Sequence, residues 1–366
     1  MDTATTARSE SDPVRALVDR HLAEGSFPGI VLVVRKCGRT VCSLVRGHRQ
    51  IHPRKLRMAE DTLFDLASLT KPLATAHLLL RSLERQHLPV DSRLGAFIAP
   101  ADPALGEVTL LELLTHTSGV PATADFVRHF PDPRSLDPEP AEQLLLSVEP
   151  SHPRGERVLY SCTGYMLLGL VLKAITGMRL RDLWERMVCD ELGVSGSCFN
   201  PPPSLQSRAA TTENCPWRGR WIRGEVHDES SFCMGGDAGN AGLFATASGV
   251  LSILDILGLV DPSGSSAILS PESRRLMSSC LTRGGGQRRS AGFCMQGPQF
   301  PFGSRFSRRA LGHTGFTGTS VLVDPEAGLE IVTLTNRVHL GREATAAKIV
   351  RFRTELHELL HELHAQ

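Results

Sequence analysis

Apolar residues recur near the N-terminus at two different spacings, and each spacing predicts a different element. Val14, Leu17, Val18 and Leu22 fall at helical intervals and predict an amphipathic helix over residues 12–24. The next two runs, GIVLVVRKCG and RTVCSLVRG, are β-rich and are separated by a glycine-containing turn, which predicts a hairpin. Helices are then predicted for the apolar runs FDLASLTKPLATAHLLLRSLER, TLLELLTHTSG, AEQLLLSV, TGYMLLGLVLKAITG, RDLWERMVCDELG and SGVLSILDILG.

The hydrophobic period changes again towards the C-terminus, where SAGFCMQG, TSVLVDP and LEIVTLTN predict strands and a final helix starts at about Arg342. Residues 200–245 are rich in proline, glycine and asparagine, and predict a long irregular connection. Because strands lie near both termini, we predict an α+β fold with one mixed sheet built from both ends of the chain. Residues 1–75 and 246–366 would form this discontinuous sheet lobe, and residues 76–245 an inserted, mostly helical lobe.

Composition narrows the class of protein. The 366 residues are 41% hydrophobic and 22% charged, as in a globular protein with a sizeable core. A formal net charge of +1 gives no reason to expect a nucleic-acid or acidic-lipid partner. The apolar runs are too short or interrupted to span a membrane, and the N-terminus lacks the apolar region of a secretory signal. The nine cysteines are an odd number without C-x-x-C pairs. We therefore expect a cytoplasmic protein with reduced thiols; the sequence does not predict its oligomeric state.

The segment HELLHELH, residues 357–364, contains an H-E-x-x-H pattern of the kind that binds zinc in metallopeptidases. In the same helix an apolar stripe is formed by Leu356, Leu359, Leu360 and Leu363. A helix that packs on a sheet needs this pattern whatever its function. We therefore interpret the other side as a solvated face and expect no metal or other cofactor. This face comprises His357, Glu358, His361, Glu362 and His364.

Ser68 and Lys71 form an S-x-x-K pair at the start of a predicted helix. Because Pro72 lacks an N–H and is tolerated only in the first turn, the helix should begin at or just before Ser68. Residues three apart on a helix share a face, so the two side chains can touch. A serine hydroxyl needs an adjacent base to act as a nucleophile, and a lysine can serve when burial lowers its pKa.

Two further motifs lie downstream of this pair. Tyr160, one of only two tyrosines, precedes the TGYMLLG helix in the run Tyr160-Ser161-Cys162, on a loop that can point into a cleft. His313-Thr314-Gly315 stands in ALGHTGFTGTSVLV, where glycines permit a ligand to approach the backbone. Taken separately, these motifs are better explained by a structural tyrosine at a helix boundary and by a buried structural histidine.

In this order, S-x-x-K, Y-S-x and H-T-G resemble the motif set of the serine β-lactamase and penicillin-binding-protein superfamily. The likeness extends over nearly the whole chain. It implies a β-lactamase/transpeptidase-like fold, with an antiparallel sheet flanked by N- and C-terminal helices and an inserted helical lobe. The stretches that resemble the class C β-lactamase-related esterase branch of this superfamily are LFDLASLTKPLAT, TLLELLTHTSGVP, YSCTGYMLLGLVLKAITG, GEVHDE, AGNAGLFATASG and LGHTGFTGTSVLVDPEAGLEIVTLTNRVH.

The resemblance implies a serine acyl-transfer site for a small ester or amide substrate. Ser68 would attack a carbonyl and carry the acyl group. Lys71 would hold or accept its proton, and Tyr160 would relay protons to the leaving group and then activate water. The backbone N–H groups of Ser68 and Phe316 would form the oxyanion hole, each such donor lowering the barrier by about 2.7–4 kcal/mol.

The resemblance also implies a substrate-binding wall made of Cys162, His313, Thr314 and Gly315, in which two residues depart from the motif set. Cys162 replaces an asparagine that contacts the substrate's amide, and cysteine is a weak hydrogen-bonding group. His313 replaces a lysine, and would lend a proton or a weak positive charge beside the substrate. Both changes favour an ester that lacks a carboxylate.

Several hypotheses about function stay open at this point. A carboxylesterase acting through an acyl-enzyme at Ser68 is favoured, with a β-lactamase or D-Ala-D-Ala-type peptidase as the variant within this class. A degenerate, ligand-binding member would form no acyl-enzyme, and a zinc peptidase would keep its activity without Ser68. Cys162 is a further candidate nucleophile. His227-Asp228-Glu229 is either a metal or acid–base cluster or a wall of the pocket, and His116 would pack beneath the cleft.

Overall fold

The computed structural model describes residues 6–133, 137–260, 268–283 and 286–364, and the side chains from residue 13 onward. The strands are β1 (Gly29–Lys36), β2 (Arg39–Gln50), β3 (Leu56–Arg57), β4 (Phe64–Asp65), β5 (Ser197–Phe199), β6 (Thr211–Cys215), β7 (Arg220–Arg223), β8 (Leu243–Ala245), β9 (Cys294–Met295), β10 (Leu311–Thr314), β11 (Ser320–Asp324) and β12 (Leu329–Thr335).

The α-helices include those expected from the apolar runs of the sequence. They are α1 (Thr6–Ala23), α2 (His77–Arg85), α3 (Pro103–Gly106), α4 (Leu110–Leu114), α5 (Phe126–His129), α6 (Pro138–Leu146), α7 (Cys162–Thr176), α8 (Leu180–Trp184), α9 (Pro203–Gln206), α10 (Glu229–Cys233), α11 (Ala247–Leu257), α12 (Pro271–Ser278) and α13 (Arg342–His364). Short 3₁₀ turns lie at Ala67–Leu69, Leu94–Ala96 and Arg337–Leu340, and wider π-type turns at Lys71–Ala76 and Glu185–Asp190.

One seven-stranded antiparallel sheet, in the order β3-β2-β1-β12-β11-β10-β9, organises the molecule. At its centre β1 pairs with β12, from Ile30 opposite Thr335 to Lys36 opposite Leu329. A strand from near the N-terminus therefore lies beside one from near the C-terminus. This pairing confirms the predicted sheet built from both ends of the chain.

Both faces of the sheet are buried, because side chains of β1 alternate between two cores. Ile30, Leu32 and Val34 face a core that they share with α1 and α13, the two terminal helices. Val31 and Val33 face the larger core, which includes the apolar sides of α2, α7 and α11. The α+β fold with an antiparallel sheet flanked by the terminal helices is thus as predicted.

The stretch expected to be mostly helical also contains small sheets. β4, β8 and β5 form a three-stranded sheet, and β6 pairs with β7. The prediction that residues 200–245 form an irregular connection is wrong in part, since β6, β7, β8, α9 and α10 lie there. Each of these elements has three to five residues, which is too few for a period to show between prolines and glycines.

The prediction of a solvated face on the last helix is wrong for His357 and His364, which are buried. His357 packs against the ring of Phe302 with centroids 4.8 Å apart, and its Nδ1 is 2.6 Å from the carbonyl oxygen of Arg353. Burial lowers the pKa of His357 to about 3, so the ring is neutral. Among the described residues, these two histidines and His361 are not close enough to share a metal ion.

The described helices include none that combines the length and the apolar character needed to cross a lipid bilayer.

Candidate active site

Ser68 lies in the 3₁₀ turn Ala67–Leu69, immediately before the helical run that continues into α2. Ala67 has a φ of +47°, in the left-handed region that non-glycine residues rarely occupy. The hydroxyl of Thr70 donates to the carbonyl of Ala67 at 2.7 Å and closes the turn. Ser68 is only half-buried, whereas its neighbours on both sides are buried. This strained turn directs the serine outward at the N-terminal end of a helix, as the S-x-x-K pattern and Pro72 predicted.

Asp65, which the sequence analysis missed, holds this turn from behind. Its Oδ1 accepts the N–H of Ala67 at 2.8 Å, and its Oδ2 accepts the N–H of His227 at 2.6 Å. Its carbonyl oxygen accepts the hydroxyl of Thr317 at 2.8 Å, and the next carbonyl, of Leu66, accepts Thr319 at 3.0 Å. Burial raises the pKa of Asp65, and the two N–H donors only partly offset this. The serine turn is therefore tied to the segment that follows H-T-G.

Lys71 is fully buried beneath Ser68, and its amine lies among polar atoms. Its Nζ lies 3.1 Å from Ser68 Oγ, 3.4 Å from Cys162 Sγ and 3.0 Å from the carbonyl oxygen of Asn240. Burial by itself lowers the pKa of Lys71, but the negative charges that Cys162 and Tyr160 acquire on ionisation raise it, and the net direction is upward. The lysine thus holds its proton at neutral pH, within reach of the serine oxygen.

Asn240 is a second residue missed from the sequence, although AGNAGLFATASG was among the family-like stretches. Its side-chain Nδ2 donates to Asp228 Oδ1 at 3.0 Å, while its carbonyl accepts from Lys71. Asp228 in turn accepts the N–H of Ser231 at 2.7 Å and caps α10. Asp228 thus supports the site through Asn240. In the described part of the chain, His227 and Asp228 belong to no group of side chains close enough to share a metal ion.

Tyr160 stands on the loop before α7, with its ring centroid 5.0 Å from Lys71 Nζ. Its hydroxyl interacts with the side chains of both Ser68 and Lys71. His116 packs beneath it, as expected, with the ring centroids 4.5 Å apart and its Nδ1 accepting the N–H of Ser161 at 3.0 Å. Burial raises the pKa of Tyr160 despite the opposing effect of Lys71, so the phenol is protonated at neutral pH.

His313, Thr314 and Gly315 form the end of β10 and the residue after it, against the serine turn. A Cβ added to Gly315 would lie 2.6 Å from the carbonyl oxygen of Leu66 and 2.1 Å from Thr319 Oγ1, so only glycine fits there. His313 is buried, and its Nδ1 lies 2.9 Å from the carbonyl oxygen of Thr314, which requires the proton to be on Nδ1. Its Nε2 has no partner among the described residues.

The charge of His313 differs from the expectation. Burial, followed by the nearby cations Arg289 and Lys71, lowers its pKa well below the ordinary value. The imidazole is therefore neutral and supplies a lone pair at Nε2 instead of a weak positive charge. A buried histidine was one explanation of the H-T-G motif, but the neighbouring cations Arg289 and Lys71 could not be located from the sequence.

Phe316 follows Gly315 and is one of the few large apolar side chains that are exposed, at 49%. Its ring stacks on His227 with centroids 5.7 Å apart, and Arg337 lies over it at 4.9 Å. His227 Nε2 is 3.1 Å from Glu213, which Arg342 also binds through two nitrogens. Glu213, Cys215 and Glu229 lie close enough together to share a metal ion. Arg342 bonds to both carboxylates, Glu213 and Glu229, and offsets one of their two negative charges.

A cavity of about 490 Å³ opens on these residues. Ser68 and Tyr160 line it, as do His313, Thr314, Gly315 and Phe316. Lys71 and Cys162 lie outside its lining, behind Ser68. The arrangement places one exposed hydroxyl, one buried amine and one phenol together beside a pocket of the size that small-molecule ligands occupy.

Residues 14–355 match the family model described as Beta-lactamase, and the chain belongs to this family. It is 29% identical over 378 residues to the N-acetylmuramyl-L-alanine amidase of Bacillus subtilis (strain 168), covering 92% of this chain and 83% of that protein. It is 30% identical over 350 residues to a protein of Escherichia coli (strain K12) that bears the provisional name D-alanyl-D-alanine carboxypeptidase, covering 86% and 79% of the two chains.

Solved structures share the fold. EstCE1, described as a hydrolase with promiscuous acyltransferase activity, superposes with a TM-score of 0.73 at 21% identity, over 96% of this chain and all 100% of its own. A penicillin-binding-protein homologue from Caulobacter crescentus superposes with a TM-score of 0.71 at 20% identity, over 96% and 98%. The predicted superfamily and fold are confirmed, and the family indicates a hydrolase of the serine β-lactamase and penicillin-binding-protein type.

Proposed function

We propose that the protein is a serine hydrolase that forms an acyl-enzyme at Ser68 and acts on small carboxylic esters. The observation that carries this proposal is the 3.1 Å contact between Lys71 Nζ and Ser68 Oγ, at the edge of a cavity and within reach of the Tyr160 hydroxyl. Serine hydroxyls become nucleophiles when a base stands beside them. Family membership supports the same reading.

In the proposed reaction Ser68 Oγ attacks the ester carbonyl and gives its proton to the Lys71–Tyr160 pair after that pair has lost a proton. The carbonyl oxygen becomes an oxyanion held by the N–H groups of Ser68 and Phe316. The carbon–oxygen bond then breaks, and Tyr160 returns the proton to the departing alkoxide. A water molecule then gives a proton to the same Lys71–Tyr160 pair and attacks the acyl carbonyl. The bond to Ser68 Oγ breaks, Ser68 takes the proton back, and the carboxylic acid is released.

Cys162 supports an ester substrate over an amide. Its thiol lies against Lys71 and is not part of the cavity lining, so it cannot hold a substrate amide as a side-chain amide at this position would. The amidase or peptidase alternative is supported by the names of the curated relatives.

We also propose that the sheet lobe, residues 1–75 and 246–366, and the inserted lobe, residues 76–245, act as one catalytic domain. The supporting observation is that the cavity takes Ser68 and His313 from the first and Tyr160 from the second.

The deciding experiment measures hydrolysis of 4-nitrophenyl butyrate by the wild type, by Ser68→Ala and by Ser204→Ala. Ser204 is exposed and does not line the cavity, so the loss of its hydroxyl is the matched control. Each protein is assayed with and without a chelator. We expect activity that ignores the chelator, survives in Ser204→Ala and disappears in Ser68→Ala. Mass spectrometry after treatment with a fluorophosphonate should show one adduct, on Ser68. A Ser68 that never acylates would instead support the degenerate, ligand-binding alternative, and a chelator-sensitive rate in Ser68→Ala would support the zinc peptidase.

A further inference from the structure

The basic residues are unevenly distributed along the chain. Residues 25–59 contain eight of the 40 lysines and arginines and none of the 39 aspartates and glutamates. This segment therefore carries a charge of +8, and the rest of the chain is net negative by seven. The formal net charge of +1, which gave no reason to expect an acidic partner, conceals this separation. Charge asymmetry of this kind indicates a surface for an anionic partner.

Only part of this positive charge is compensated by ion pairs. Arg35 is bound to Asp255 and to Glu330, and the guanidinium of Arg46 lies 3.3 Å from Asp19. Both arginines therefore have an acidic partner within the fold, and neither is available to a ligand.

The cations around the connection between β2 and β3 are not compensated in this way. In the part of the chain that the structure describes, no ion pair involves Arg49, Arg54, Lys55, Arg57 or, on the neighbouring β7, Arg223. Arg54, Lys55 and Arg57 are exposed, and the other two are partly exposed. We call these five residues the β2–β3 patch. Like charges held together repel one another, so an anion bound to the patch would be stabilising.

Gln50, which is buried, brings the members of the β2–β3 patch together. Its Nε2 donates to the carbonyl oxygen of Arg54 at 2.9 Å, and its Oε1 accepts from Arg223 Nη1 at 3.4 Å. Arg49 Nη1 donates to the carbonyl oxygen of Arg57 at 2.7 Å, across the pair of strands. The five cations are therefore held at one edge of the seven-stranded sheet, of which β3 is the outermost strand.

The β2–β3 patch is also joined to an element that borders the cavity. His339 Nε2 accepts the backbone N–H groups of Ile51 and His52 at 2.9 and 3.1 Å, and so fixes the loop that carries Arg54. His339 belongs to the same short turn as Arg337, a residue of the cavity lining. Attachment at the patch would therefore hold the protein by a segment bonded to the turn beside its cavity.

The β2–β3 patch offers charge but no apolar or aromatic anchor. None of the large hydrophobic side chains that are exposed in the described residues belongs to it. The nearby ring of Trp221 is already engaged by His52 and His339, with centroids 6.0 and 4.7 Å away. Single-stranded nucleic acids are bound largely by stacking of bases on aromatic side chains. The patch is instead suited to phosphate groups, which arginines bind through paired N–H donors.

We propose that the β2–β3 patch binds the phosphate groups of an anionic lipid surface and attaches the protein to it by electrostatic attraction. Each basic residue close to such a surface adds to the attraction, which falls off within a Debye length of about 10 Å at 0.1 M salt. The net negative remainder of the chain is repelled by the same surface, so the protein is oriented with this sheet edge towards the lipid. The attachment does not depend on the proposed acyl transfer at Ser68.

The test is sedimentation of the protein with vesicles of phosphatidylcholine, and with vesicles in which about a third of the lipid is phosphatidylglycerol. We expect the wild type to bind only the anionic vesicles at low salt, and to be released at about 1 M salt, where the Debye length is about 3 Å. Arg54→Gln/Lys55→Gln/Arg57→Gln should lower the partition coefficient at least about tenfold, because three of the five cations are lost. Failure of the wild type to bind anionic vesicles, or equal binding to neutral ones, overturns the proposal.

The matched control is Arg128→Gln/Arg308→Gln/Arg309→Gln, which removes three exposed cations outside the β2–β3 patch and should lower vesicle binding by less than about twofold. None of the six substituted residues lines the cavity, so both variants should keep the melting temperature and the ester hydrolysis of the wild type. Equal losses of binding in the two variants would show that net charge alone matters and would reject the patch.

Two further measurements separate a lipid surface from other sources of phosphate. Inorganic phosphate should displace the protein from anionic vesicles no better than chloride does at equal ionic strength. Single- and double-stranded oligonucleotides should bind less tightly than anionic vesicles at the same salt concentration. Specific displacement by phosphate would assign the patch to a soluble phosphate compound, and tighter binding of an oligonucleotide would assign it to a nucleic acid; either result overturns the proposal.

Discussion

Asp65 Oδ1 accepts the backbone N–H of Ala67 at 2.8 Å, and this bond holds the strained residue that precedes Ser68. Because Oδ2 and the carbonyl of the same residue bind His227 and Thr317, Asp65 links the serine turn to the strand-end segment that carries Phe316. Both proposed oxyanion donors therefore depend on one buried residue, Asp65, for their relative position.

We expect Asp65→Asn to lower kcat about 10- to 100-fold with little change in KM, since an amide can accept from Ala67 but cannot accept from His227 as well. The rate of fluorophosphonate labelling of Ser68 should fall by a similar factor. Asp61→Asn, an exposed carboxylate in the preceding loop, is the control and should behave as wild type. A variant that unfolds more easily but keeps its kcat would show that Asp65 is purely structural.

Lys71→Met should reduce kcat/KM by about 10²–10⁴-fold, the range expected for loss of a general acid–base group. The methionine fills a similar volume, so the loss reflects the missing amine and not a cavity. Lys173→Met, an exposed lysine paired with Glu142, is the matched control. Esterase activity is measured on 4-nitrophenyl butyrate, and an active Lys71→Met protein would contradict the proposed role.

The pH profile follows from the raised pKa values of Lys71 and Tyr160. Raised values mean that both groups are protonated at neutral pH and that the pair becomes a base only as pH rises. We therefore expect kcat/KM to increase from neutral to alkaline pH, with an apparent pKa that belongs to the pair. In Tyr160→Phe one of the groups that raise the pKa of Lys71 is gone while Cys162 remains, so the remaining activity should rise at a lower pH than in the wild type. An unshifted profile in this variant would refute the coupling.

The next prediction concerns Cys162, which we propose favours ester over amide substrates. Cys162→Ala should change ester hydrolysis by less than about tenfold, because a thiol is a weak hydrogen-bonding group. Cys162→Asn should raise the ratio of amide to ester hydrolysis, since an asparagine can contact a substrate amide. The ratio is measured with the 4-nitroanilide and the 4-nitrophenyl ester of butyric acid. Loss of all activity in Cys162→Ala, with activity kept in Ser68→Ala, would make the thiol the nucleophile.

The sequence alone predicts the fold and the proposed nucleophile, but it does not predict which residues surround Ser68 in the folded protein. Continuous apolar runs predict β1 and β12, which are buried on both faces, and helical spacing predicts the longer amphipathic helices. S-x-x-K brings Ser68 and Lys71 together through local helical geometry alone. Asp65 and Asn240 act through partners far along the chain, and no local pattern distinguishes them from ordinary polar residues. Their roles become visible only when burial and long-range contacts are known.

The last prediction concerns the H-E-x-x-H segment of α13, which the structure uses in packing. His357 is fully buried against Phe302 and Phe306, so His357→Ala should destabilise the protein by about 2–4 kcal/mol, as other large-to-small changes in cores do. His361→Ala, a partly exposed position one turn later, should cost much less. Thermal melts and the activity per folded molecule are compared, with and without a chelator. If this segment held a functional zinc ion, both variants would lose activity together, and the chelator would reproduce their loss in the wild type.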